Sequence, residues 1–175
     1  MILADYHVHT NLSHDGISTM EGHISYAIKK GIKEICFTEH YDVYEGVSDS
    51  KLKPLNVRLY SNIFNIYKEM YKDKISLKFG IEIGLQPDMK NIVEFLTRFY
   101  HFDFVIGSSH ITCKKDISKD ETFFENLNQR QANMKYFNEV LQNIQIFDEF
   151  DVYGHLDYIV RYGNYDKKYI SYLEY

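Results

Sequence analysis

Residues 1–40 read MILADYHVHTNLSHDGISTMEGHISYAIKKGIKEICFTEH. The apolar run at 2–7 reads as a short strand. Ser18 and Glu21 then stand at capping-box spacing. Met20, Ile24, Ala27 and Ile28 follow at helical intervals as far as Gly31, a helix stop. EICFT at 34–38 is a second strand, rich in the β-branched and aromatic residues that suit one. Strand, helix and strand in this order form a βαβ unit, whose two strands run parallel.

The same alternation continues outward. After a polar loop at 41–55, Leu59, Ile63, Ile66, Tyr67 and Met70 mark a second helix. ISLKFGIEI at 75–83 is a third strand. Pro87 and Asp88 open a third helix carrying Met89, Ile92, Val93, Leu96 and Phe99, and FDFVIG at 102–107 is a fourth strand. Ser118 and Glu121 repeat the capping-box spacing. They predict a long helix with Phe124, Leu127, Met134, Phe137, Leu141 and Ile144 on one stripe. A fifth short strand spans 150–153. Repeated βα units predict an α/β fold around a parallel sheet, with no linker or internal repeat to divide residues 1–175 into more than one domain.

Composition bounds the function. At 175 residues the chain is long enough to bury roughly 70% of its unfolded surface without disulfide staples. It is 45% hydrophobic and 26% charged, a globular balance. The net charge of −5 disfavours a binder of long nucleic acids, which needs a basic face. No run approaches the ~18 apolar residues of a membrane span, and the N-terminus lacks a signal-peptide pattern. Cys36 and Cys113 follow no metal spacing and read as reduced thiols, Cys36 packed in a strand. A cytoplasmic location is expected.

The chemistry lies in where the polar residues fall. His7 and His9 close the first strand, at i and i+2 and therefore on one side of an extended chain. Glu39 and His40 close the second, Glu82 lies near the end of the third, and His110 and His155 follow the fourth and fifth. In a parallel barrel or sheet these ends share one face, the face that carries active sites. Gathering so many ionisable groups is costly unless a cation compensates them, and imidazoles with carboxylates suit zinc, manganese or iron. Asp15, in the SHDG loop after the first strand, is a further candidate ligand. His14 competes with it, and Asp15-Gly16 could equally be a plain turn. Lone histidines are usually hydrogen-bonded surface or core residues, and His23 and His101 are read that way. Glu82 alone could be a buried carboxylate paired with a lysine.

Taken together, these segments resemble the PHP (polymerase and histidinol phosphatase) family of metal-dependent phosphoesterases. DYHVHTNLSHDG resembles its first motif, FTEH its second and GIEIG its third. IGSSH matches the motif around His110, and YGHLDYIVRYG the one around His155, with Asp157 and Arg161 beyond. The match runs from residue 3 to about 165. Each motif is weak alone, and their order and spacing are specific. SSH followed by GHLD and an arginine is most similar to the histidinol-phosphate phosphatase branch.

The resemblance implies a distorted (β/α)7-type barrel with up to three divalent ions. His7, His9 and Glu82 would hold the first. Glu82 would bridge to a second, also bound by His110 and His155, and Asp15 and His40 would hold a third. A metal-bound hydroxide held by His7, His9 and Glu82 would be the nucleophile, and Arg161 would face the substrate phosphate, its alternative being a surface arginine. The implied reaction is hydrolysis of L-histidinol phosphate, a small-molecule phosphate monoester, in histidine biosynthesis. Glu45 and Asp49 are candidate contacts for the substrate's amine, against the favoured alternative of a plain solvated loop.

One departure from the family pattern matters. The closing Asp-x-His motif does not follow His155, and only about five βα units can be counted. The expectation is a C-terminally truncated barrel, a fragment of a longer protein ending inside the next helix, whose third ion would be lost first. Three alternatives remain open: a PHP-type phosphoesterase for nucleotides or nucleic-acid ends, a catalytically incomplete metal-binding domain, and an amidohydrolase. The last also begins with His-x-His but lacks its later lysine or aspartate here.

Overall fold

The computed structural model describes residues 2–44, 46 and 53–162. Glu45, Asp49 and the helix expected beyond residue 162 lie outside the described residues. Five strands form one parallel sheet in the order β1 (Ala4–Val8), β2 (Glu34–Tyr41), β3 (Ser76–Gly84), β4 (Phe104–Ser108) and β7 (Val152–Tyr153). The sheet curls into a half-barrel. Between β4 and β7 the chain inserts a small antiparallel hairpin, β5 (Ile111–Thr112) and β6 (Lys115–Asp116), and then a long helix.

The helices α1 (Met20–Lys30), α2 (Val57–Tyr71) and α3 (Lys90–Tyr100) supply Met20, Ile24, Tyr60, Phe64, Val93 and Leu96 to the core. These pack on alternate residues of the central strands, among them Ile35, Phe37, Ile81 and Ile83. Tyr60 is buried yet not orphaned, because its hydroxyl donates to Phe37 O at 2.7 Å. A second cluster of Ile117, Phe123, Tyr136, Val140 and Ile159 lies under α4 (Gln129–Ile146).

Several boundaries differ from the sequence expectation. The α1 N-cap is Thr19, not Ser18. Thr19 has the extended backbone a cap requires (φ −72°, ψ 158°), and its hydroxyl accepts from Gly22 N. Gly31 ends α1 in the left-handed region at φ 76°, as expected of a helix stop. The α3 helix begins at Lys90, and Asp88 instead takes an ion pair with Lys114 at 2.7 Å. The capping box of α4 is Asn128 with Gln131, not Ser118 with Glu121, which precede a 3-10 turn at Glu121–Phe123. The stripe expected to be buried on α4 is also wrong. Met134, Phe137, Leu141 and Ile144 are exposed, while Ala132, Tyr136, Val140 and Asn143 face inward. At 3.6 residues per turn the two stripes lie roughly a third of a turn apart. The inward one packs Ala132, Tyr136 and Val140 against Ile117, Phe123 and Ile159, and includes Asn143, whose amide donates to Leu85 O at 3.2 Å and Ser109 Oγ at 3.3 Å.

Candidate metal centre

Strand register builds the site. Glu82 on β3 pairs with His40 on β2 and with Ile106 on β4, which places it in the middle of the sheet near its carboxyl edge. Its side chain is fully buried. His7 and His9 arrive from β1 and the residue just past it, and their Nε2 atoms lie 2.9 and 3.1 Å from Glu82 Oε2. His40 Nδ1 lies 3.2 Å from the same oxygen. On Oε1 converge His155 Nε2 at 2.8 Å, His110 Nε2 at 3.2 Å and the Ser108 hydroxyl at 2.7 Å. The imidazoles also pack on one another, the His9 and His40 rings stacking at 4.0 Å and only 4° from parallel.

Asp15 Oδ2 lies 3.3 Å from His40 Nε2, and that contact holds the Asp15 carboxyl well below the usual carboxylate range. His14 sits beside the same ring, 5.2 Å between centroids. Its own pKa is lowered by burial and by the His40 charge. Arg161 ends the 3-10 turn Tyr158–Arg161 and lines the same cavity of about 410 Å³, its guanidinium 5.5 Å from the Tyr158 ring centroid. All seven candidate ligands and Arg161 therefore border one cavity. His23 and His101 lie elsewhere, on α1 and at the C-cap of α3.

Glu39, although next to His40, faces away. Its carboxylate accepts from Thr10 N at 3.0 Å and from the Ser13 hydroxyl at 2.5 Å, and Ser13 Oγ accepts from His40 N at 2.9 Å. It anchors the loop that carries Asp15. Sequence reasoning missed Asp42 and Ser108. Asp42 Oδ1 lies 2.9 Å from His110 Nδ1 and is buried. The same i, i+2 rule that grouped His7 with His9 would have grouped His40 with Asp42.

The donor set tests whether a cation belongs here. A carboxylate offers about four lone-pair sites. Five ring nitrogens and a hydroxyl crowd those of Glu82, more than hydrogen bonding alone can satisfy. Three groups, His7 with His9 and Glu82, Glu82 with His110 and His155, and His40 with Asp42 and His110, each present ligand atoms within 4.8 Å of one another. Burial disfavours the charged form of Glu82, yet the surrounding imidazoles outweigh it and hold the acid ionised. Burial likewise opposes charge on His110, but Asp42 and Glu82 on its two nitrogens raise its pKa well above the ordinary imidazole value. Divalent ions fit this arrangement, because a cation between imidazole lone pairs and a shared carboxylate removes the crowding.

Comparison with known proteins agrees. Residues 5–175 match the PHP domain family. The chain is 34% identical over 170 residues to a histidinol-phosphatase of Lactococcus lactis subsp. lactis, covering 97% of this chain and 62% of that protein. It is 29% identical over 171 residues to a Clostridium acetobutylicum protein named "Probable histidinol-phosphatase", covering 98% of this chain and 64% of that one. The crystal structure of the Lactococcus lactis histidinol phosphate phosphatase, complexed with Zn, L-histidinol and phosphate, superposes with a TM-score of 0.84 at 33% identity. That superposition covers 93% of this chain and 60% of the other. The chain thus spans about three-fifths of the length of these relatives. On the match of nearly its whole length and on its likeness to these relatives, the chain belongs to the PHP domain family.

Proposed function

We propose that this chain is a single metal-dependent phosphomonoesterase domain acting on L-histidinol phosphate in histidine biosynthesis. The observation that carries the reading is the convergence of five imidazoles on the one buried carboxylate of Glu82, in a chain whose relatives are histidinol-phosphatases.

His7, His9 and Glu82 would hold one divalent ion, and Glu82, His110 and His155 a second. Asp15 and His40 offer a third position with two ligands. Zinc is the ion named with the Lactococcus relative, and manganese and iron suit the same donors. When bound, such ions acidify a water for attack and neutralise the phosphoryl oxygens. The protein's own share is positioning. Glu82 stays ionised and joins the two ligand sets, and the stacked His9 and His40 rings hold their nitrogens in fixed directions. Arg161, at the rim, presents a planar fork that matches two phosphate oxygens at once. Tyr158 supports it and closes one wall over the His110 and His155 rings. The two cysteines are free, in keeping with a cytoplasmic protein.

Phosphate release by the zinc- or manganese-loaded chain decides the matter. L-histidinol phosphate should be turned over well ahead of nucleoside monophosphates. A preference for nucleotides would favour the nucleotide reading, and no release from either, with ions bound, would favour an incomplete centre.

A further inference from the structure

We propose that Asp42 is a positioning residue of the centre, and that it aims His110 Nε2 at the ion shared by Glu82, His110 and His155. The proposal rests on the metal-centre reading above. Asp42 follows β2, and its side chain is 2% exposed. Its Oδ1 lies 2.9 Å from His110 Nδ1, while the other nitrogen of that ring points at Glu82 Oε1, 3.2 Å away. A carboxylate on Nδ1 holds the proton there, leaves the Nε2 lone pair free for a cation and fixes the ring plane.

The backbone beneath is shaped for this contact. A Cβ on Gly84 would stand 1.9 Å from Asp42 Oδ1, 3.1 Å from its Cγ and 3.4 Å from His110 Nδ1, and these are its three nearest neighbours. Glycine at 84 therefore leaves room for one thing, the Asp42–His110 pair. Asp42 is not needed to hold β2 in the sheet, since the β2–β3 register runs only from Glu34 to Tyr41.

The test uses the whole chain loaded with zinc. In ¹⁵N-detected spectra of histidine-labelled protein, with His110 assigned by its loss in His110→Gln, wild type should show a protonated Nδ1 and a zinc-bound Nε2. The reverse tautomer overturns the proposal without any variant of Asp42. By chelator competition, Asp42→Ala should weaken the tightest affected zinc site about 10–100-fold. Asp42→Asn, whose amide oxygen still accepts from Nδ1–H, should recover most of that loss. Gly84→Ala, which displaces the carboxylate but keeps its charge, should reproduce the alanine effect. Zinc affinity unchanged in Asp42→Ala and Gly84→Ala overturns the proposal, as does a loss in Asp42→Asn equal to that in Asp42→Ala, which would make Asp42 a ligand itself. Failure of wild type to bind zinc at all would instead overturn the metal-centre reading.

Discussion

At the scale of the residue, Glu82 is the position on which the centre turns. It is the carboxylate common to two of the three ligand groups, and its side chain is fully buried at the floor of the cavity. Glu82→Gln and His7→Ala are each expected to remove most bound zinc, read as ions per chain after gel filtration, and full zinc content in either would contradict the ligand assignment. A second residue-scale expectation concerns Cys36. Burial pushes its thiol up to about 12, against about 8.5 for a free thiol. The folded pKa lies above the unfolded one, so the neutral thiol stabilises the fold fully below pH ~8.5, and that contribution is lost as pH rises toward 12. Stability against urea should therefore fall above pH ~9 and fall less steeply in Cys36→Ala. Native alkylation at pH 8 should spare Cys36 until the chain unfolds.

At the scale of the element, α4 separates apolar pattern from burial. Its outward stripe contains Leu141, 54% exposed, and its inward stripe Tyr136, fully buried. Tyr136→Ala should cost about 3–5 kcal/mol in denaturant unfolding, whereas Leu141→Gln should stay within about 0.5 kcal/mol. The caps divide the same way. Asn128 closes a reciprocal capping box with Gln131, each side chain accepting from the other's backbone N–H. Asn128→Ala should cost about 1 kcal/mol. Ser118→Ala, at the cap expected from sequence, leaves the α4 terminus intact.

At the scale of the molecule, the gathered side chains tie all five strands of the sheet together, since those from β1, β2 and the segments after β4 and β7 meet on Glu82 of β3. Binding to the folded state alone stabilises it, by about 2.7 kcal/mol at a hundredfold excess over Kd, which for a chain of this size is a rise of about 5–10 °C in Tm. Addition of zinc should produce that rise and a chelator should reverse it. Among the described residues β1 and β7 have one strand neighbour each. Unpaired edges are templates for pairing, so sedimentation should show association growing with concentration.

The order of strands and helices, and the site at their carboxyl ends, were legible in the sequence because both rest on local rules. Period 2 or 3.6 sorts the elements, and a parallel βα series leaves its strand ends on one face. That His7, His9, Glu82, His110 and His155 gather on one face could be read from that, although the same rule also picked Glu39, which faces away. Ser108 and the rotation of α4 could not, and although the i, i+2 rule reaches Asp42, its pairing with His110, 68 residues away, could not either. Asp42 counts only because Gly84 leaves it space to reach His110, and Ser108 only because the β3–β4 register sets it against Glu82. The inward face of α4 meets residues far along the chain, Ile117 and Ile159 through Tyr136 and Val140, and Leu85 and Ser109, 58 and 34 residues away, through Asn143. Spacing along a chain carries period and order. Contacts between distant residues are set by packing and by the need to satisfy buried polar groups, and these exist only once the chain has folded.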